Sequence, residues 1–185
     1  MQQTDPRSVT ADAPPAATAA AVPAGAASNP AFDPAELRRA LAGMATSVTL
    51  VTTNVNGVAY GFTANSFTSV SVTPPLVAVF LAETAESYPA FARADHVAVN
   101  ILAADQGEVA QRFATKGIDK FSAVTLHGGY DRVPVVTGAQ ASIIGTVHER
   151  WTVGDHLMII VHVDDVIRSA QIPLIYQNRE FRKLV

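Results

Sequence analysis

The chain has 185 residues, 13 Lys and Arg against 16 Asp and Glu, five His, no Cys, and 49% hydrophobic residues. That length fits one domain of roughly 100–200 residues with a tail; a net charge of −3 argues against a nucleic-acid binder, and the lack of cysteine excludes disulfides, thiol nucleophiles and Cys-ligated metals. Charged residues make up only 16%, below the roughly 25% of an average soluble domain, which points to extensive burial or to an apolar surface used for self-association or a ligand cleft.

Residues 1–30 carry ten alanines and five of the 11 prolines, with Asp5, Arg7 and Asp12 their only charges. So little large apolar surface does not offset the entropy of ordering, and the stretch reads as a disordered tail ahead of a domain over residues 31–185. Pro14, Pro15 and Pro23 interrupt any signal-peptide core, and no run of about 18 apolar residues occurs. A cytoplasmic chain without a membrane span is the expectation.

The domain opens on a helix signal, with Asp33 as N-cap, Pro34 as first helical residue and Glu36 as capping-box partner. Leu37, Ala40 and Leu41 supply an apolar stripe, and Gly43 ends the helix. Ser47–Val55 and Val58–Thr63 then read as strands flanking the hairpin turn Asn56-Gly57. Leu76–Leu81 and His96–Leu102 are further strands, with short helices at Tyr88–Ala92 and Gln106–Phe113. Ala139–Trp151 and His156–Ile167 are two long strands joined at Val153-Gly154-Asp155, and Leu174–Tyr176 with Glu180–Leu184 forms a last hairpin. About seven strands and few helices predict a mainly β fold, a barrel with peripheral helices. No G-x-G-x-x-G, G-x-S-x-G or Walker loop occurs, which argues against doubly wound dinucleotide enzymes, α/β-hydrolases and P-loop enzymes.

The most unusual segment runs from Gly61 to Pro75 and packs Thr63, Asn65, Ser66, Thr68, Ser69, Ser71 and Thr73 into eleven residues. Small uncharged donors and acceptors suit a planar, heteroatom-rich ring or an anion, and equally suit a solvated strand face. Thr84 and Ser87 form a second hydroxyl patch. His156 and His162 share one strand face and His148 sits on the partner strand, a pattern read as ordinary strand histidines with no metal expected. His156 stands apart because it starts a strand beside the tight Gly154-Asp155 turn, at the barrel mouth. Tyr176, Arg179, Phe181, Arg182 and Lys183 form a basic-aromatic cluster that reads as an anion site or a soluble edge strand.

In order along the chain, Gly61-Phe-Thr-Ala-Asn-Ser-Phe-Thr-Ser-Val-Ser, Pro74-Pro75-Leu76, Val99-Asn100-Ile101-Leu102, Gln106, Phe113-Ala114, Lys120-Phe121, Gly154-Asp155-His156 and Pro173-Leu174-Ile175-Tyr176 resemble the short flavin reductase family, from about Phe32 to Val185. That family comprises the reductase components of two-component flavin-dependent monooxygenases. The resemblance implies a homodimeric split β-barrel of the FMN-binding type, with flavin near the subunit interface. It implies that Thr63, Ala64, Asn65 and Ser66 contact the isoalloxazine ring, and that Ser69, Val70 and Ser71 lie along ring and ribityl chain. Thr84 and Ser87 match phosphate-binding hydroxyls; Asn100, Ile101 and Leu102 line the site from a neighbouring strand; Phe113, Lys120 and Phe121 help close it. His156 matches a histidine near the nicotinamide, and Tyr176 and Arg179 match a C-terminal segment near the same cleft.

The implied reaction is hydride transfer from NADH to flavin, with reduced flavin diffusing to a partner monooxygenase. His156 is the expected catalytic residue, orienting the nicotinamide or donating to developing negative charge. Glu83 and Glu86 depart from the family pattern, because carboxylates repel a phosphate unless they point away or accept from a ligand hydroxyl. As ribose acceptors they would favour FAD, with FMN the alternative. Two other classes stay open: a barrel that binds flavin or another planar ligand without turnover, and an interaction protein whose apolar surface docks a partner.

Overall fold

The computed structural model describes residues 32–184. The expected tail over 1–30 lies outside the described residues. In chain order the elements are α1 (Pro34–Ala42), β1 (Thr46–Ser47), β2 (Thr49–Val55), β3 (Val58–Ala64), β4 (Thr68–Val72), β5 (Pro75–Ala82), α2 (Tyr88–Phe91), β6 (His96–Ile101), α3 (Gly107–Ala114), β7 (Ala141–Val153), β8 (His156–Arg168), β9 (Ile175–Gln177) and β10 (Glu180–Arg182). The fold is mainly β, as expected.

A seven-stranded antiparallel sheet runs β3-β2-β6-β7-β8-β5-β4, and a small sheet runs β1-β9-β10. Both long hairpins follow from turn chemistry. Asn56 and Gly57 have φ of 55° and 80°, and Val55 pairs with Val58, which is the two-residue turn whose twist matches the strands. Gly154 takes φ 61° at the first central position between Val153 and His156.

The sheet curls so that its two ends share one core. Phe62 and Ala64 of β3 pack with Val77, Val79 and Leu81 of β5 and with Leu157, Ile159 and Val161 of β8. β3 and β4 are the two edges of this sheet and do not pair with each other, so the barrel is split on that side. Phe91 of α2 plugs the core edge-to-face against Phe62, with ring centroids 4.9 Å apart. Arg150 secures that plug by donating to the carbonyls of Phe91 and Ala94.

β2 is buried on both faces, which explains its nearly unbroken apolar and threonine run. Val51 points into the barrel, whereas Val48 and Leu50 pack outward against Leu102, Ala110, Phe113, Val136 and Leu174. Buried threonines are satisfied by carbonyls: Thr49 donates to Ala64 at 2.9 Å and Thr53 to His96 at 2.7 Å.

Three expectations change. The single strand Ser47–Val55 divides at Val48, whose N–H donates to Leu174 and whose carbonyl accepts from Leu102, so the backbone passes from the small sheet into the large one. In α1, Asp33 caps the Ala35 N–H at 2.8 Å, but the Glu36 carboxylate bonds Arg39 at 2.5 Å instead of closing a capping box. The apolar stripe of α1 stays uncovered, with none of its residues buried. Among the described residues no helix is long and apolar enough to cross a membrane.

Candidate active site

β3 runs to the split edge of the barrel and delivers Thr63, Ala64, Asn65 and Ser66 to a cleft of about 300 Å³. Phe80 and Ala82 of β5 form its floor, Ser87 and Glu86 come from the turn before α2, and Phe113 and Ala114 from the end of α3. Lys116 and Lys120 enter from the following loop, and His156 enters from the first position of β8. A second cleft of about 240 Å³ shares Thr63, Ala64, Asn65 and Ala114 and is bounded by Tyr176 and Phe181. A third, of about 290 Å³, continues past Glu86, Ser87 and Lys120 to Phe121 and Gly61. Thr63–Asn65 is therefore a thin wall with open space on both sides, built from small side chains that let a flat group approach the backbone.

The wall is rigidly tied. Thr63 Oγ1 donates to the Ala110 carbonyl of α3 at 2.6 Å, fixing β3 against the helix. Gly61 is required by crowding: an added Cβ would stand 2.8 Å from Phe113 Cε1. Phe113 in turn meets Phe121 edge-to-face at 4.9 Å.

The loop after α3 is held from both ends. Arg112 donates to the carbonyls of Asp119 (2.8 Å) and Lys120 (3.2 Å) and to Ser122 Oγ (3.0 Å). Lys120 Nζ donates to the Phe113 carbonyl at 3.1 Å, and Lys116 Nζ to the Thr84 carbonyl at 3.1 Å. The Glu86 carboxylate accepts the Gly117 N–H at 3.0 Å and lies 3.9 Å from Lys120 Nζ. Of the two carboxylates that depart from the family pattern, Glu86 is matched by a lysine and a backbone donor, and Lys116 and Lys120 both line the cleft beside it. Ser87, the buried N-cap of α2, makes no capping hydrogen bond, which leaves its hydroxyl for a ligand.

Beside the end of β5, where Ala82 pairs with His156, His156 Nδ1 lies 2.7 Å from Asp155 Oδ1. The hydrogen bond from His156 and one from its own backbone N–H hold the Asp155 carboxyl below its ordinary value. This contact fixes the imidazole ring and leaves Nε2 outside the pair. Among the described residues no group of three His, Asp or Glu side chains is placed to hold a metal.

Of the residues expected at the site, Thr63, Ala64, Asn65, Ser66, Ser87, Phe113, Lys120 and His156 line the main cleft. Tyr176 and Phe121 line the adjoining two. Asn100 and Leu102 line none of the three clefts, and both are completely buried. Asn100 spends its amide on Leu50, Thr52, Val136 and Ser142, while Leu102 belongs to the core beneath α3. Ile101 uses its carbonyl to accept from Gln140, and it lines none of the three clefts. Ser69, Val70 and Ser71 lie on the exposed edge strand β4, with Val70 at a bulge and the Ser71 hydroxyl donating to the Pro74 carbonyl at 2.6 Å. Thr84 is exposed beside the cleft, and Arg179 occupies the β9–β10 turn at φ 65°. Glu86, expected only as a ribose acceptor, and Lys116 also line the main cleft. Their signal was the opposite charges Glu86, Lys116 and Lys120, whose meeting the sequence separation conceals.

The chain matches the flavin reductase like domain over residues 41–185. It is 40% identical to the actinorhodin polyketide dimerase of Streptomyces coelicolor over 156 residues, 83% of this chain and 88% of that protein. It is 34% identical to the reductase component of a Rhodococcus opacus 4-nitrophenol 4-monooxygenase/4-nitrocatechol 2-monooxygenase, covering 83% of each. Against two longer Rhizobium meliloti relatives it spans 58% and 43% of their length. Its fold matches a Streptomyces globisporus NADH:FAD oxidoreductase, solved with NAD and FAD fragments, at a TM-score of 0.78 and 32% identity over 83% of this chain and 93% of that one. A split barrel, a small-residue wall at its open edge and a match spanning nearly all the described residues lead to one conclusion: the chain belongs to the flavin reductase like domain family.

Proposed function

We propose that the chain is an NADH-dependent reductase of free flavin that supplies reduced flavin to a partner monooxygenase, acting in the cytoplasm as a homodimer. One observation carries this reading: the main cleft combines a neutral wall of small side chains at Thr63–Ser66 with a positioned His156 and with Ser87, Lys116 and Lys120. That donor set fits a flavin, since the wall admits a flat ring and Ser87, Lys116 and Lys120 offer a hydroxyl and two ammonium groups to a phosphate.

When bound, flavin supplies the electron-accepting ring, N5 taking hydride from nicotinamide C4. The chain supplies position. Thr63–Ser66 hold the ring against β3, Phe113 and Phe121 shield it from water, and His156 orients the nicotinamide, its ring set by Asp155. Correct alignment removes several kcal/mol from a bimolecular barrier, so such a site works without a general base or nucleophile. FAD is the favoured flavin, with Glu83 or Glu86 as acceptor for a ribose hydroxyl, and FMN is the alternative. The reductase component from Rhodococcus opacus supports the monooxygenase partner, and the oxidoreductase from Streptomyces globisporus supports NADH and FAD. The homodimer accounts for surface the chain leaves bare: Phe32, Leu37, Leu41 and Met44 around α1, and Val70 and Val72 on β4, are all exposed.

The test is NADH oxidation by the purified protein with FAD, FMN and riboflavin added in turn. Oxidation that depends on added flavin and on protein supports the reductase. A protein that binds flavin yet is inert to NADH would instead be a binding module.

A further inference from the structure

The cationic end of the cleft already holds an anion of the chain's own. Glu86 places both carboxylate oxygens on the Gly117 N–H, at 3.0 and 3.3 Å, with one of them 3.9 Å from Lys120 Nζ. Gly117 takes φ 74°, a left-handed conformation suited to glycine, and its single N–H meets the carboxylate. The Lys120 side chain is only 15% exposed, so its charge is poorly served by water, whereas Glu86 is 47% exposed and has room to swing out. Lys116, tied to the Thr84 carbonyl, and Ser87, with no capping bond, flank the same spot.

We propose that Glu86 is an intramolecular competitor for the phosphate of the flavin: its carboxylate occupies the Gly117 and Lys120 donors in the free protein, yields them when a phosphate arrives, and reclaims them as the flavin leaves. The inference rests on the flavin-reductase reading. Its consequence is a selective weakening of phosphate-bearing flavins, which suits a protein that must release reduced flavin rather than retain it. The swap exchanges one half-exposed ion pair for another, so the competition is modest in size.

The experiment is titration of riboflavin, FMN and FAD by quenching of flavin fluorescence, with the wild-type chain and with Glu86→Gln. The Gln side chain keeps an acceptor for Gly117 and loses the charge. FMN and FAD should bind about three- to tenfold more tightly to the variant, with slower release, while riboflavin affinity stays unchanged. Lys120→Met should act in reverse, weakening FMN and FAD while sparing riboflavin. Equal tightening of all three flavins, no change in any, or weakening of all three by Glu86→Gln would overturn the inference, the last by showing that Glu86 accepts from a flavin hydroxyl. If neither protein binds any flavin, the flavin-reductase reading itself fails, and the inference with it.

Discussion

Asn100 offers a sharp separation between holding the fold and touching a ligand. Its side chain is 0% exposed and joins four parts of the molecule. Nδ2 donates to the Leu50 carbonyl at 2.9 Å and Thr52 Oγ1 at 3.3 Å, and Oδ1 accepts from the Val136 N–H at 3.0 Å and Ser142 Oγ at 2.8 Å. In Asn100→Ala, Thr52 keeps its bond to the Pro134 carbonyl, whereas the Val136 N–H and Ser142 hydroxyl lose the acceptor they share. Each orphaned buried group costs about 1–3 kcal/mol, and the vacated volume adds to this, for a total of roughly 3–5 kcal/mol. At about 2–4 °C per kcal/mol for a domain of this size, the melting temperature should fall by roughly 6–20 °C. The assay is thermal melting followed by circular dichroism, paired with flavin titration well below the transition. Flavin affinity should change by less than about threefold, because no atom of Asn100 faces a cleft. A variant that melts with the wild type but loses flavin affinity tenfold would refute the reasoning and return Asn100 to the ligand.

Gly61→Ala should lower stability by about 1–3 kcal/mol and weaken flavin binding, since the new methyl pushes the Phe113 ring toward the cleft; unchanged melting and unchanged titration together would contradict this. His156→Ala should lower the hydride rate or raise the NADH requirement more than it weakens flavin, and unaltered steady-state kinetics would remove its assigned role. The Asp155 carboxyl is held below its ordinary value by His156, so this contact stabilises the fold above the ordinary carboxylate range. That contribution is lost as pH falls through the lowered value. The gap in melting temperature between wild type and Asp155→Asn should therefore be small at neutral pH and close in acid; a gap that widens in acid would show the sign to be wrong.

The readable parts of the chain are those decided by neighbouring residues. Asn56-Gly57 and Gly154 fix two hairpins through backbone conformations that few other residues adopt, and the second hairpin alone puts His156 at the mouth of the barrel. Thr63–Ser66 was legible because a run of small neutral groups at a strand end is uncommon. The burial of Asn100 and Leu102 was not legible, for the opposite reason. A strand's sequence shows that its residues alternate, but which face meets a ligand depends on β2, β7 and the 133–136 segment closing over it. The left-handed backbone of the β9–β10 turn was hidden: Asn178 and Arg179 both adopt positive φ, with no glycine to announce it. Glu86 and Gly117 meet across 31 positions, a pairing no local pattern encodes. The apolar stripe of α1 is legible in its spacing, whereas its exposure is not.

The central claim is that this cleft holds flavin and nicotinamide in position for direct hydride transfer. The most direct test mixes the protein and oxidised flavin anaerobically with NADH and follows the visible absorbance of the flavin. Hydride transfer in this cleft gives rapid bleaching that requires the protein and slows in His156→Ala. Flavin that stays oxidised as long with the protein as without it would contradict the account.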